Sequence, residues 1–427
     1  MLSLIQRGFN VLREDGLLDF IFETTRYVKQ YPGSVYFFFN DFKIDVDSGT
    51  TLIDLRSSTL GADSFALIQQ LEKDESFSRL YLTVTDRSEF EELNNDIIHE
   101  FRNLDLEIEV VTAHSKRFCE ALAASSLIYL CNRSSLATYR LLDRNSNRTY
   151  TSSFHGVIAK AYGTLRPSKT EQKRSDLLSR FRRELDVQSV ESDVELYSRA
   201  TAETFHPDRL QKFGYPRFDR IRELEAGEEE PVLPEEAKRE LQDDVFTVLY
   251  APTQRHGYYE PPFLASSETA IEQIREFLSE RNIRIYVRTH VNDERRGLYD
   301  DVVDGETIRY AGHSFAPMST ELLPFVDVLV TDYSSIYFEF LPFDRPIVFF
   351  SQDHERFMRT IGVAFDYDRY FPGPKIQSTE EFLEELESLS GGDDGYRDER
   401  EFVRRTFLPP RSKTFLENVL NTRPARN

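Results

Sequence analysis

Apolar and polar residues alternate in blocks along most of this chain, and the blocks fall into two series. The first series contains the apolar segments "SVYFFF", "RLYLTV", "LEIEVV" and "SLIYLC", separated by charged helical stretches such as residues 89–103. The second contains "VFTVLYAPT", "IRIYVRTH", "ETIRYAG", "VDVLVTD" and "PIVFF", with a helical stretch at residues 268–281. Strands that alternate with helices are typical of parallel sheets covered by helices. The pattern therefore predicts an α/β fold built in two halves.

Two further segments divide the chain into three predicted parts. Residues 227–238, "GEEEPVLPEEAK", are rich in acids and proline, which is typical of a linker or an exposed connection. Residues 2–30 place apolar side chains at roughly helical spacing and predict two amphipathic helices. We therefore predict an N-terminal helical segment at 1–33, a first α/β domain at 34–225 and a second at 226–427 that ends in a helix.

Composition and charge narrow the class of protein. The formal charge of -21 argues against binding to nucleic acid, because phosphate neutralisation needs clustered positive charge. Acidic, lysine-poor surfaces are similar to those of cytoplasmic proteins from extreme halophiles, and we expect a cell of that kind. Cys119 and Cys131 build no disulfide framework and fit a reducing compartment. Because no apolar run approaches the length that spans a bilayer, we expect a cytoplasmic protein.

Polar residues gather directly after several predicted strands, where a parallel sheet binds its ligands. A cleft that handles phosphate needs cations, hydroxyls and helix N-termini at that edge. Each residue also has a structural interpretation: a lone histidine can be a surface residue, Gly-Tyr-Pro is a common turn, and an arginine can pair with a nearby acid. The candidates at these strand ends are His155, Arg217, Thr253, Arg255, Arg288, His290, Thr331, Asp332, Ser334 and Ser335.

The segment "VDVLVTDYSSIYFEF" carries the sharpest choice between function and structure. Ser334 and Ser335 stand where a buried strand ends and the next helix begins. Serine is a preferred N-cap, but the amides and dipole at a helix N-terminus also attract phosphate. Glu339 lies one turn further on, where it either accepts hydrogen bonds from the ribose of a nucleotide or complements the helix dipole.

These segments together identify a family. The series "FHGVIAK", "GYPRFD", "YAPTQR", "VRTH", "LLPFVDVLVTDYSSIYFEF", "RPIVFFSQD" and "YFPGP" resembles the CDP-glycerol glycerophosphotransferases that prime or polymerise teichoic-acid-type polymers. The resemblance implies a GT-B-like architecture, with two Rossmann-like domains that face a central cleft. It places the acceptor and the general base, His155, in the first domain and the nucleotide donor in the second.

The same resemblance implies the reaction and the remaining roles. Glycerol phosphate, or another alditol phosphate, moves from a CDP-activated donor to an acceptor hydroxyl, and CMP is released. His155, Arg288 and His290 are the implied catalytic residues. The donor and its phosphates are expected to meet the following residues: Arg217, Thr253, Arg255, Thr331, Asp332, Ser334, Ser335 and Glu339.

Expectations about partners complete the sequence-based hypothesis. The sequence has no Asp-X-Asp pair at a suitable strand end, so we expect no metal in the chemical step and no cofactor. The expected partners are a CDP-alditol and a polymer or lipid-linked acceptor. For residues 1–33 three interpretations stay open: they pack on the following domain, dock on a partner protein or lie on the inner face of the cell membrane. Two alternatives stay open: a GT-B glycosyltransferase that uses a nucleotide sugar, and a non-catalytic scaffold of a surface-polymer assembly complex.

Overall fold

A computed structural model describes most of the chain between residues 32 and 422. The described ranges are 32–55, 60–94, 105–131, 136–143, 145–153, 156–167, 185–203, 205–254, 267–289, 291–294 and 296–422. The amphipathic helices predicted within residues 1–33 therefore lie almost wholly outside the described residues. So do His155, Arg255 and His290 among the candidate site residues.

The first half of the chain forms a parallel sheet in the order β3-β2-β1-β4-β5-β6-β7. Its strands are β1 (Asp47–Asp54), β2 (Arg79–Val84), β3 (Glu107–Thr112), β4 (Ser125–Leu130), β5 (Thr149–Ser152), β6 (Val187–Ser189) and β7 (Leu210–Gln211). The helices are α1 (32–40), α2 (Ala62–Lys73), α3 (Arg87–Leu93), α4 (Lys116–Ala124), α5 (Ala137–Leu142), α6 (Asp193–Glu203) and α7 (Pro216–Glu225).

The second half forms a parallel sheet in the order β10-β9-β8-β11-β12-β13. Its strands are β8 (Phe246–Tyr250), β9 (Ile283–Val287), β10 (Ile308–Tyr310), β11 (Val328–Thr331), β12 (Ile347–Phe350) and β13 (Lys375–Ile376). The helices are α8 (Glu235–Leu241), α9 (Glu268–Arg281), α10 (Val291–Glu294), α11 (Ile336–Phe340), α12 (His354–Thr360), α13 (Tyr367–Tyr370), α14 (Thr379–Ser390), α15 (Arg397–Phe407) and α16 (Phe415–Leu420).

Both sheets confirm the α/β fold that the sequence predicts. In each one the strand order reverses next to the first strand, between β1 and β4 and again between β8 and β11. Doubly wound sheets bind their ligands at the carboxyl ends of the strands that flank such a reversal. The turns after β8 and β11 therefore form the natural ligand edge of the second sheet.

One predicted strand of the first half is wrong. The segment "SVYFFF" lies in α1, where Ser34 and Phe37 are buried while Val35 and Phe39 are exposed. This three-residue spacing of buried positions fits one face of a helix, and an unbroken aromatic run does not distinguish a helix from a buried strand. The true first strand, β1, begins with polar residues and therefore lacks the apolar pattern of its neighbours.

The two halves of the chain pack against each other. One buried cluster joins Val157, Tyr215 and Phe218 of the first half to residues around β11 and α11 of the second. The final helix, α16, returns to the first half, where Phe415 and Leu416 pack with the residues around β1 and β2. The division of the chain near residue 225 thus stays a prediction about domains that contact each other closely.

No helix in the described part of the chain is long and apolar enough to cross a membrane.

Candidate functional site

Hydrogen bonds of polar groups connect the turns that follow β8 and β11. The hydroxyl of Thr331 donates to the carbonyl of Ala251 at 2.7 Å. The carboxylate of Asp332 accepts the main-chain amides of Thr253 at 2.9 Å and of Tyr333 at 2.6 Å. Thr253, Thr331 and Asp332 are all buried. The structure therefore places these three predicted residues at one sheet edge, where they fix the shape of the turn.

Ser334 and Ser335 follow directly and are partly exposed. Ser335 occupies the N-cap position of α11, but its side chain makes no capping hydrogen bond. The interpretation of these serines as a helix cap is therefore wrong for Ser335. The helix itself spans five residues before a 3₁₀ turn, Leu341–Phe343, continues the chain. A helix this short has a small dipole, so the hydroxyls and local amides matter more for a phosphate.

Arg288 lies at the end of β9, and its guanidinium is hydrogen-bonded to main-chain carbonyls. Its guanidinium donates to the carbonyls of Ala311 and Gly312, both at 2.8 Å, and also to the carbonyl of Ala316. Burial lowers the pKa of Arg288 to about 10, although the nearby Glu294 opposes that shift. The guanidinium stays charged at neutral pH and holds the segment between β10 and β11. Direct contact between Arg288 and a diphosphate stays a prediction.

Arg217 joins the two halves through a buried ion triad. Its guanidinium donates to Glu339 of α11 at 2.6 Å and to Asp63 of α2 at 2.9 Å, and all three side chains are mostly buried. Burial alone would lower the pKa of Arg217, but the two carboxylates hold it above its ordinary value. Burial raises the pKa of Glu339, and the charge of Arg217 opposes that shift. Both residues are predicted donor contacts, and nothing in the sequence indicates that they pair with each other.

The loop that contains the predicted base borders this triad. Gly156 has a left-handed backbone, with φ of +76°, and a Cβ at that position would lie 3.6 Å from the Arg217 side chain. Further along, the main chain pairs with the second half: the amide of Ala161 donates to Gly362 at 2.9 Å, and the amide of Ala364 donates to Ala159 at 2.7 Å. The residues next to His155 therefore lie where the two halves meet.

Asp219 of the "GYPRFD" motif and Arg220, the residue after it, form further ion pairs around α7. Arg220 donates with two nitrogens to Glu321 of the second half, at 2.8 and 3.2 Å. Asp219 accepts from Arg411, 2.8 Å away, and from the amide of Phe415. Glu321 and Arg411 are not among the predicted residues, because they lie about a hundred residues or more from their partners and no local sequence pattern marks them.

In the part of the chain that the structure describes, no three histidine, cysteine, aspartate or glutamate side chains are grouped so that they could hold a metal ion.

Comparison with known proteins gives this geometry a family. The family model of CDP-Glycerol:Poly(glycerophosphate) glycerophosphotransferase matches residues 36–422. The teichoic acid poly(glycerol phosphate) polymerase of Bacillus subtilis is 28% identical over 203 residues, which are 47% of this chain and 26% of that protein. The teichoic acid glycerol-phosphate primase of Bacillus spizizenii is 31% identical over 183 residues, 43% of this chain and 44% of that protein. This chain thus spans less than half the length of these two relatives.

A solved structure of the wall teichoic acid polymerase TagF shares the fold across nearly the whole chain. The TM-score is 0.71 at 18% sequence identity, with 97% of this chain and 96% of that chain covered. This likeness confirms the GT-B-like arrangement of two parallel sheets that the sequence predicts. Because the family model also extends over both sheets and over every candidate site residue, this chain belongs to the CDP-glycerol:poly(glycerophosphate) glycerophosphotransferase family.

Proposed function

We propose that this protein transfers glycerol phosphate, or a related alditol phosphate, from a CDP-activated donor to a hydroxyl of a cell-surface polymer or glycolipid. The observation that carries the proposal is the junction at Arg217. This side chain lies 3.6 Å from the position that a Cβ of residue 156, next to the predicted base, would occupy, and it binds Glu339 in the helix that follows Ser334 and Ser335. The two motifs that the reaction requires therefore approach each other across the interface between the sheets.

The proposed reaction divides the work between the two halves. His155 takes the proton of the acceptor hydroxyl, whose oxygen forms a new bond to the phosphorus that carries the alditol. The bond from that phosphorus to the bridging oxygen breaks, and CMP leaves with the electron pair. Because charge develops on the diphosphate, catalysis depends mainly on positioning and electrostatic stabilisation. His290 and Arg255 would supply positive charge, while Ser334 and Ser335 donate hydrogen bonds to phosphate oxygens.

The second half supports a nucleotide at a defined edge. Thr253, Thr331 and Asp332 fix the turns on both sides of the strand-order reversal, and the serines follow directly after them. Arg288 contributes by holding the segment between β10 and β11 through its carbonyls. Glu339 is held by Arg217, so we assign it to the junction between the halves as well as to the proposed donor site.

Location and partners belong to the same proposal. We propose that the protein acts at the inner face of the cell membrane, where residues 1–33 contact the lipid surface and the acceptor is anchored. It would use neither a metal in the chemical step nor nucleic acid as a partner. Removal of residues 1–33 should reduce partition to lipid vesicles, and unchanged partition would assign that segment to another role.

The experiment that tests the activity compares products. The purified protein is incubated with CDP-glycerol or CDP-ribitol and a glycerol-phosphate-primed lipid acceptor, with and without a chelator. The proposal expects CMP and a new phosphodiester, at a rate that the chelator does not change. A nucleoside diphosphate and a glycosidic bond from nucleotide sugars would establish the glycosyltransferase instead. Binding of acceptor without turnover of any donor would favour the scaffold.

A further inference from the structure

The loop that carries the predicted base has a buried anchor in the first half. The carbonyl of Gly156 accepts a hydrogen bond from the guanidinium of Arg199, at 2.7 Å. Arg199 lies in α6 and is completely buried. Gly156 follows His155 directly in the sequence, and its left-handed φ means that the loop turns sharply at this residue. A cation held on this carbonyl therefore fixes the main chain one residue from the base.

Arg199 is itself fixed by a small polar network. Its Nε donates to Glu195, one helical turn earlier, at 3.0 Å. The hydroxyl of Tyr215 accepts from Arg199 at 3.2 Å and donates to the same carboxylate. Glu195 also accepts the main-chain amide of Glu191 at 2.8 Å. The network therefore leaves the guanidinium little freedom to leave the Gly156 carbonyl.

Such a network is a costly way to stabilise a fold. The loss of hydration of buried charges offsets much of their attraction, and apolar replacements of similar volume are often as stable or more stable. The arrangement makes more sense if it serves the geometry of the loop. On the other side of Gly156, residues 159–161 are bonded to the second half through main-chain groups. Further along, Tyr162 and Thr164 also bond the helix α6 of the first half. Arg199 thus supplies the first half's hold at the residue directly after His155.

We propose that Arg199 is a positioning residue for the general base: through the Gly156 carbonyl it holds His155 in the orientation that proton transfer requires. This inference rests on the proposed function. Its consequence is specific, because misplacement of a catalytic group slows turnover without weakening the binding of a donor that sits on the other half. A merely structural arginine would lower stability and leave turnover of the folded protein unchanged.

The test compares Arg199→Met with a matched substitution elsewhere. Arg400 is a similarly buried arginine, paired with Asp394 in the second half. Turnover is measured by CMP release from CDP-glycerol, donor affinity by calorimetry, and the folded fraction by melting. We expect Arg199→Met to lower kcat about 10- to 100-fold with nearly unchanged donor affinity, since small displacements of catalytic groups cost about that much. Arg400→Met should keep the kcat of the folded protein.

A double-mutant cycle shows whether Arg199 acts through His155. Residues that act as one unit are strongly non-additive. Arg199→Met added to His155→Ala should therefore lower the residual rate less than twofold. If the two losses multiply, or if the folded Arg199→Met protein has wild-type turnover, the inference is overturned. If the wild-type protein releases no CMP from any donor, the proposed function has failed, and the inference is overturned with it.

A milder variant covers the case in which Arg199→Met does not fold. Tyr215→Phe removes the hydroxyl that contacts both Arg199 and Glu195 but keeps the buried ring. Arg199 keeps its bonds to Glu195 and Gly156 in this variant, so kcat should fall less than in Arg199→Met, roughly two- to tenfold, at constant donor affinity. Wild-type kcat in folded Tyr215→Phe would also overturn the inference.

Discussion

The loop after β5 in the first sheet and the turn after β11 in the second both lie at the interface, but different polar groups surround them. Two arginines lie beside the first. Arg199 binds the Gly156 carbonyl, and Arg217 binds two carboxylates close to where a Cβ of residue 156 would lie. The second presents partly exposed serines behind a turn that Asp332 has fixed through main-chain amides. The side predicted to carry the base is therefore charge-paired and hydrogen-bonded to buried arginines, whereas the predicted donor side has partly exposed hydroxyls.

The difference changes how arginines in these motifs should be interpreted. Arg217 and Arg288 looked like phosphate contacts because they follow strands or turns at the ligand edge. Both are bound to protein groups, Arg217 to carboxylates and Arg288 to carbonyls, so their charge also orders the segments around the site. Their direct contact with a diphosphate stays a prediction, as do the contacts of His290, Arg255 and the serine hydroxyls.

The largest effect should come from the base itself. His155→Ala should lower turnover by about 10² to 10⁴, the usual range for general-base catalysis, while donor binding stays nearly intact. His206→Ala is the matched control, because His206 is an exposed histidine of the same half, paired with Asp208. CMP release and donor calorimetry are measured on both variants. Near-normal turnover in His155→Ala would remove the base from the first sheet and end the comparison.

The next largest effect should come from breaking the ion triad that joins the two sides. Arg217→Met leaves Asp63 and Glu339 buried without their common partner, which should cost about 3–5 kcal/mol of stability. Arg87→Met removes an exposed arginine paired with Glu91 and should cost no more than about 1 kcal/mol. Denaturation in urea measures both values. A loss in Arg217→Met as small as in Arg87→Met would mean that the triad does not hold the halves together.

The sequence predicted some elements well because their signal was local. The strands β8, β9, β11 and β12 are short apolar runs buried in a parallel sheet, and such runs need no tertiary information to be found. The strand β1 was missed, since Thr50, Thr51 and Asp54 are buried polar residues whose environment only the folded sheet creates. The strand predicted at the aromatic run of α1 was wrong for the opposite reason. The composition of this run favours a strand, but its pattern of buried residues is that of a helix.

The ion-pair partners of the site residues were likewise not predictable from local sequence. The location of Thr331, Asp332 and the serines followed from a strand that ends in polar residues. The contacts of Arg217 with Asp63 and of Arg220 with Glu321 connect residues that are more than a hundred positions apart. Arg199 and Glu195 look in sequence like an ordinary exposed pair on one face of a helix, and only tertiary packing shows that they are buried.

A smaller effect should separate the hydroxyls of the donor side from their structural alternative. Ser334→Ala should weaken donor binding by about 1.5–3 kcal/mol, the value of one hydrogen bond to a charged group, and should barely change stability. Ser378→Ala is the matched control, because Ser378 forms a true capping box with Glu381. That change should cost about 0.5–2 kcal/mol of stability and leave donor binding alone.

Replacement by aspartate makes the same test sharper. A carboxylate suits a helix N-terminus, so Ser334→Asp with Ser335→Asp should melt at or above the wild-type temperature. If the serines face a diphosphate, the new charges should repel the donor and lower its affinity further than alanine does. Calorimetric titration with CDP-glycerol and melting of the free protein measure both quantities. Undiminished affinity in this well-folded variant would contradict a phosphate site at Ser334 and Ser335.

The smallest effect concerns the turn of the base loop, and a second glycine supplies its control. Gly156 and Gly227 both have left-handed backbones, with φ of +76° and +67°. Alanine at either position should cost about 1–2 kcal/mol of stability, because the left-handed conformation strains an L residue. The Cβ of Gly156→Ala meets Arg217 only at ordinary contact distance, and that of Gly227→Ala meets nothing within 4 Å, so neither variant should clash.

The two glycine variants should nevertheless differ in turnover. Gly156 bears the carbonyl that Arg199 holds, so relaxation of its strained backbone shifts the residue that precedes it, His155. Gly227 lies just past the end of α7, remote from the loop, and its relaxation moves nothing in the proposed site. CMP release should therefore fall in Gly156→Ala and stay normal in Gly227→Ala, although both lose similar stability. Equal turnover in the two variants would mean that the loop tolerates movement. The hydrogen bond from Arg199 to the Gly156 carbonyl would then have no catalytic purpose.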